Sequence, residues 1–155
     1  MTINKSIGGL FIAGAIALFI PYTMLTVIFE YPDILRQDTA TILTKFHEGG
    51  NRLIWTWFAF AITGIPLLPA YIMLGQKLEN KAPLVRMATT IGVIGLIVQM
   101  VGLLRWTFVV PVLADTFIHA TDEATKAAVI VAFKTIHQFG GVVLGEHLGD
   151  RKSVV

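Results

Sequence analysis

An all-α, polytopic transmembrane helix bundle is the fold class this sequence predicts, and three observations predict it. Hydrophobic residues make up 55% of the 155-residue chain, while Asp, Glu, Lys and Arg supply only 14%. Soluble domains carry about 25% charged residues because their surfaces must be wet. Mean hydropathy is +0.73. The apolar residues also gather into runs near the roughly 20 residues that a helix needs to cross ~30 Å of hydrocarbon. The same figures exclude an ordinary soluble enzyme, a disordered chain and a collagen-like chain. The net charge of +2 forms no basic stripe, so a nucleic-acid partner is not expected. Cysteine is absent, which removes disulfides, thiolate nucleophiles and Cys-ligated metals.

The spans follow in chain order: three, then a partial fourth. Ile7–Phe29 is uncharged over 23 residues, too long for the apolar core of a signal peptide and followed by no small-residue cleavage site. Pro21 is expected to kink it, which neighbouring helices accommodate in a bilayer. Glu30–Arg52 carries Ile34, Leu35, Ile42, Leu43 and Phe46 loosely on one helical face. With Pro32 in its first turn and Gly49-Gly50 at its end, it predicts a short amphipathic helix lying at the membrane surface. Leu53–Gly75 is again uncharged. Trp55, Trp57 and Tyr71 are placed as interfacial anchors, and Pro66 and Pro69 should bend its later half. The third span runs over about 87–114, interrupted by Arg105. Thr121-Asp122-Glu123 reads as a helix start. It leads into a weaker fourth segment over about 127–149, which contains Lys134, His137, Gln138, Glu146 and His147. Residues 1–149 are thus one membrane domain, with the lipid bilayer as its partner.

Basic residues divide four against four between the two faces, but Lys77, Lys81 and Arg86 crowd one short loop. The positive-inside rule therefore favours a cytoplasmic N-terminus. The tail Asp150–Val155 turns abruptly polar within a glycine-rich apolar helix. It resembles the in-frame translation of a common sequencing adapter. These six residues are expected to be non-native read-through, with the natural chain continuing after Gly149. In that frame Glu146 sits deep in the bilayer.

Arg105 is the most informative residue. A charge within a span costs about 2.5–3.5 kcal/mol near the helix centre, so it faces the bundle interior and has a partner. With the third span centred near Met100, Arg105 lies roughly 7.5 Å beyond the midplane at 1.5 Å rise per residue. Glu146 falls at a similar depth and is the expected partner. Gln99 or His147 would add hydrogen bonds, and Glu30 and Asp115 are rivals. Such a pair either fixes helix register or forms part of a substrate or proton path. Gly141, Gly145 and Gly149 repeat every fourth residue, with His137 one step earlier. This spacing lets helix backbones approach, and Gly95 and Gly102 offer a facing groove. His137 and His147 are ten residues apart, not the i,i+4 pair of a helical metal site. No metal or cofactor is assigned from the sequence.

The strings Arg105-Trp106-Thr107-Phe108-Val109-Val110-Pro111 and Gly145-Glu146-His147-Leu148-Gly149 resemble a family of small bacterial polytopic membrane proteins. That family is catalogued as domain of unknown function 4386. Tyr31-Pro32-Asp33-Ile34-Leu35-Arg36 and Phe46-His47-Glu48-Gly49-Gly50 extend the resemblance over nearly the whole chain up to Gly149. The resemblance implies a helical bundle and a bacterial inner-membrane location, with no assigned activity. The expectation is an integral membrane protein with no assignable reaction. A small transporter or permease-like subunit, and a membrane-embedded enzyme or haem-binding subunit, are the alternatives. A homo-oligomer or another membrane subunit stays open as partner.

Overall fold

The computed structural model describes residues 2–79 and 84–149, with the backbone alone at 2–4 and 145–149. The tail 150–155 lies outside the described residues. Six α-helices and a terminal π-helical segment follow one another, and no strand occurs among the described residues. Four stretches are long and apolar enough to cross a membrane: Lys5–Ile28, Thr39–Glu79, Leu84–His119 and Glu123–Leu144.

Helix α1 spans Thr2–Ile28 and runs on through Pro21. After it the chain turns at Glu30, whose φ is +54°, and at a cis Tyr31–Pro32 peptide. A 3-10 turn over Asp33–Arg36 follows. The expected surface helix therefore begins later than Pro32. It opens α2 (Thr39–Ile62), where the Asp38 carboxylate accepts from the Thr41 amide at 3.0 Å. Its apolar face does not lie free for a membrane surface. Ile42, Leu43 and Phe46 are buried in the bundle core with Ile34. Gly50, at φ 52° and ψ −150°, kinks the helix without ending it. That backbone conformation is open to glycine at no steric cost.

Two prolines explain the next interruptions. The chain breaks over residues 63–66 before α3 (Leu67–Glu79), where Pro66 brings no N–H. Helix α4 (Leu84–Phe108) gives way at Val109 to α5 (Val110–His119), which carries Pro111 in its first turn. The proline ring would clash with the carbonyl four residues back. Asp122 caps α6 (Glu123–Ile136), accepting from the Thr125 amide at 2.8 Å as its sequence suggests. At His137 the winding widens into a π-helical segment, His137–Gly149.

Helix α2 is central and packs on α1, α4, α5 and α6, while the π-helical segment runs along α4. One core cluster joins Leu25, Phe29, Phe46, Trp57, Trp106 and Phe133. Trp57 is 0% exposed and Trp55 66%. Of the two tryptophans Trp55 faces outward as an anchor would, because residues two apart on a helix point to different sides, and Tyr71 faces outward as well.

Candidate functional site

Helix α4 and the π-helical segment build the surroundings of Arg105. The residue lies near the end of α4, just before the Val109 break, and is half-buried. Its Nη1 donates to the carbonyl of Gly102, one turn earlier. Its guanidinium carbon stands 5.3 Å from the centroid of the Trp106 ring, within the range of a cation–π attraction. Across the interface lie Gly140 and Gly141 of the π-helical segment. A Cβ on Gly141 would stand 2.7 Å from Arg105 Nη2, and one on Gly140 would stand 3.1 Å from Arg105 Cδ. The glycines leave the space that the arginine fills. Gly102 is buried opposite Gly140, where a Cβ would come 3.8 Å from its carbonyl oxygen.

His137 stands where the π winding begins. Its ring stacks on Phe133 at 5.5 Å and 16°, and meets Trp106 edge-on at 6.0 Å. Trp106 in turn stacks on Trp57 at 4.7 Å and 9°. His137 Nδ1, Thr107 Oγ1 and Trp57 Nε1 are buried with no hydrogen-bond partner among the described residues. An unsatisfied buried polar atom costs about 1–3 kcal/mol, so these atoms mark an expensive place in the fold.

The residues singled out in the sequence thus divide. Arg105, His137, Gly141 and Gly102 come together. Gln99 does not join them. It lines a separate cavity of about 90 Å³ with Thr63, Gly64, Leu67 and Met100, at the break between α2 and α3. Gly95 is a half-buried position of α4. Gly145, Glu146, His147 and Gly149 belong to the π-helical segment, but their side chains lie outside the described residues, and with them the expected Arg105–Glu146 pair. The two rivals are engaged elsewhere: Glu30 binds Lys45 at 2.6 Å, and Asp115 binds His119 at 3.3 Å. No group of three or more His, Asp or Glu that could hold a metal ion occurs among the described residues.

Sequence reasoning missed the Trp57–Trp106 stack, Gly140 and the Gln99 cavity. Gly140 carried a usable signal, since it adjoins Gly141 in the same small-residue stretch. The stack carried none, because Trp106 sits in a helix that is apolar on every side.

The fold and the site define a class: an all-α bundle whose helices have membrane-spanning length and apolarity, with an arginine set against paired glycines in its interior. Within that class the chain belongs to the family described as Domain of unknown function (DUF4386), whose model matches residues 6–149. No curated protein and no solved structure matches.

Proposed function

We propose that the protein is a multi-pass integral protein of the bacterial inner (cytoplasmic) membrane, with its N-terminus on the cytoplasmic side. One observation carries the membrane part of this reading, while the orientation rests on the basic residues Lys77, Lys81 and Arg86 crowded into one loop. Large apolar side chains face outward along the candidate spans, among them Ile12, Phe19, Val27, Ile97, Phe108 and Val131. Water would make so large an exposed apolar surface an aggregation site, whereas hydrocarbon solvates it. The expected result is recovery in density-separated inner membranes, with retention through an alkaline carbonate wash. Release into the soluble fraction would contradict it.

Within this reading Arg105 orders the core. An isolated charge in a span is costly, and here it is held by the Gly102 carbonyl and the Gly140–Gly141 space. Arg105→Ala is expected to lower the melting temperature of the detergent-solubilised bundle, and Gly141→Leu to do the same by occupying the guanidinium's place. Unchanged melting in both would remove Arg105 from the structural role.

A permease-like subunit is the second reading, and the interrupted spans favour it. Discontinuous helices near the midplane form the substrate and ion sites of many transporters. The break over residues 63–66 lies in the middle of the 53–75 apolar run and faces the Gln99 cavity. Flux into reconstituted vesicles, lost in Gln99→Leu with melting unchanged, is the expected outcome. Permeability equal to that of protein-free vesicles, for protons, cations and small anions alike, would contradict it.

A further inference from the structure

At the end of the bundle opposite the N-terminus, His47 of α2 and His119 of α5 meet. Their ring centroids are 5.8 Å apart and their planes cross at 75°. The backbones beneath them are fixed. Phe46 on one helix and Val110 and Ala114 on the other are buried in the core, and α2 packs along α5. Both histidines are themselves exposed. The contact therefore lies on the outer surface at this end of the bundle, between residues 72 apart in sequence.

The protonation pattern follows from the neighbours. His119 Nδ1 lies 2.9 Å from the Asp115 carbonyl oxygen and 3.3 Å from Asp115 Oδ1. Both oxygens can only accept, so Nδ1 carries the hydrogen and Nε2 keeps the lone pair. A histidine whose second nitrogen donates to a carbonyl or carboxylate is the usual form of a metal-ligating imidazole, with ring and tautomer held by that bond. His47 makes no hydrogen bond to a described residue, which leaves its own lone pair available. The separation also fits. A metal about 2.0–2.1 Å from each donor nitrogen lies roughly 3.2 Å from each ring centroid, so two imidazoles sharing an ion sit roughly 4.5–6.4 Å apart.

We propose that His47 and His119 form a two-imidazole site for a divalent late first-row metal ion, with Asp115 orienting His119 and water completing the coordination. Imidazole selects zinc, nickel and copper among the divalent ions, with copper held most tightly. Two side-chain donors are fewer than the three or four of catalytic and structural zinc sites. The site is therefore an open one that exchanges its ion. A bound ion ties α2 to α5 and stabilises this end of the bundle by mass action.

The test is titration of the untagged, detergent-solubilised full chain with Zn²⁺, followed by calorimetry and by thermal melting. One saturable site per chain is expected, with a zinc-dependent rise in melting temperature. His47→Ala and His119→Ala should each weaken binding at least tenfold. Asp115→Asn should weaken it much less, because the Asp115 carbonyl oxygen that receives the Nδ1 hydrogen at 2.9 Å is kept. Melting of each variant without zinc should match the parent, since all three side chains are exposed. Two results would overturn the proposal: no saturable binding up to millimolar zinc, or binding undiminished in the His47→Ala/His119→Ala double variant.

Discussion

Near the turn that carries Tyr31–Arg36, the core is filled by large rings; from mid-bundle towards the N-terminal end the helices touch through glycines. At the first end Phe29, Phe46, Trp57 and Trp106 form a continuous aromatic cluster, with Phe29 edge-on to the other three and Trp57 stacked on Trp106. At the second, Gly14 meets Leu67, Gly64 meets Met100 and Gly75 meets Thr89, each so closely that a Cβ would stand within 3.0 Å of the facing side chain. For helices that cross a bilayer there is no hydrophobic force between them to exploit, and packing must supply the attraction. The aromatic cluster and these three glycine contacts obtain it in opposite ways, one by filling space with ring area and the other by removing side chains so that backbones approach.

That contrast yields tests in order of size. Trp106→Ala empties a site with no exposure and is expected to cost about 3–5 kcal/mol, the range for large aromatic truncations. Denaturation in detergent measures it. Trp55→Ala, at the exposed face, should cost far less, and equal losses would break the comparison. At the glycine end, Gly75→Val should cost about 1–3 kcal/mol through overpacking. Thr89→Ala should recover part of that loss, because the Thr89 side chain is what a Gly75 Cβ meets. A double-mutant cycle reads the coupling. Gly92→Ala sharpens the point, since its Cβ would meet Tyr71 at an ordinary 3.5 Å and should change little.

The smallest effect is on pH. The Asp38 and Asp122 carboxylates are held below their ordinary 3.8, Asp38 mainly by the Thr41 hydroxyl and Asp122 mainly by the Thr125 amide. A carboxylate whose pKa falls on folding contributes stability above its unfolded value and loses it as pH drops through the lower folded value. Acid melting should therefore show a slight loss of helicity below about pH 4. Asn still caps a helix without titrating, so the Asp38→Asn/Asp122→Asn pair should flatten that slope. A slope unchanged in the pair would move its cause elsewhere.

These regions were not equally readable from the sequence. The spans were legible because run length is set against a fixed hydrocarbon thickness, and the Asp122 cap because its signal is local. Pro66 announced an interruption that the fold contains, whereas the break at Val109 before Pro111 falls inside what the sequence reads as one span over about 87–114. The inward face was not legible in α4, where apolar residues surround the helix, nor in the choice between Trp55 and Trp57. The amphipathic stretch at Ile42–Phe46 was visible, but its partner was not. A stripe of that kind serves a membrane surface and a protein core equally, and Phe29 and Trp106 decide for the core. Arg105 was legible as inward by its cost. The glycines that receive it, and the meeting of His47 with His119, are tertiary facts that no local pattern encodes.

The account turns on its crossings, and the cysteine-free sequence lets single cysteines map the first three of them. Asn4→Cys and Gln76→Cys should react with a membrane-impermeant maleimide only after permeabilisation, and Gln37→Cys and Thr121→Cys already in intact cells. Reversal of both pairs would overturn the orientation while keeping the crossings. Gln37 and Gln76 reacting from the same side would contradict the account itself.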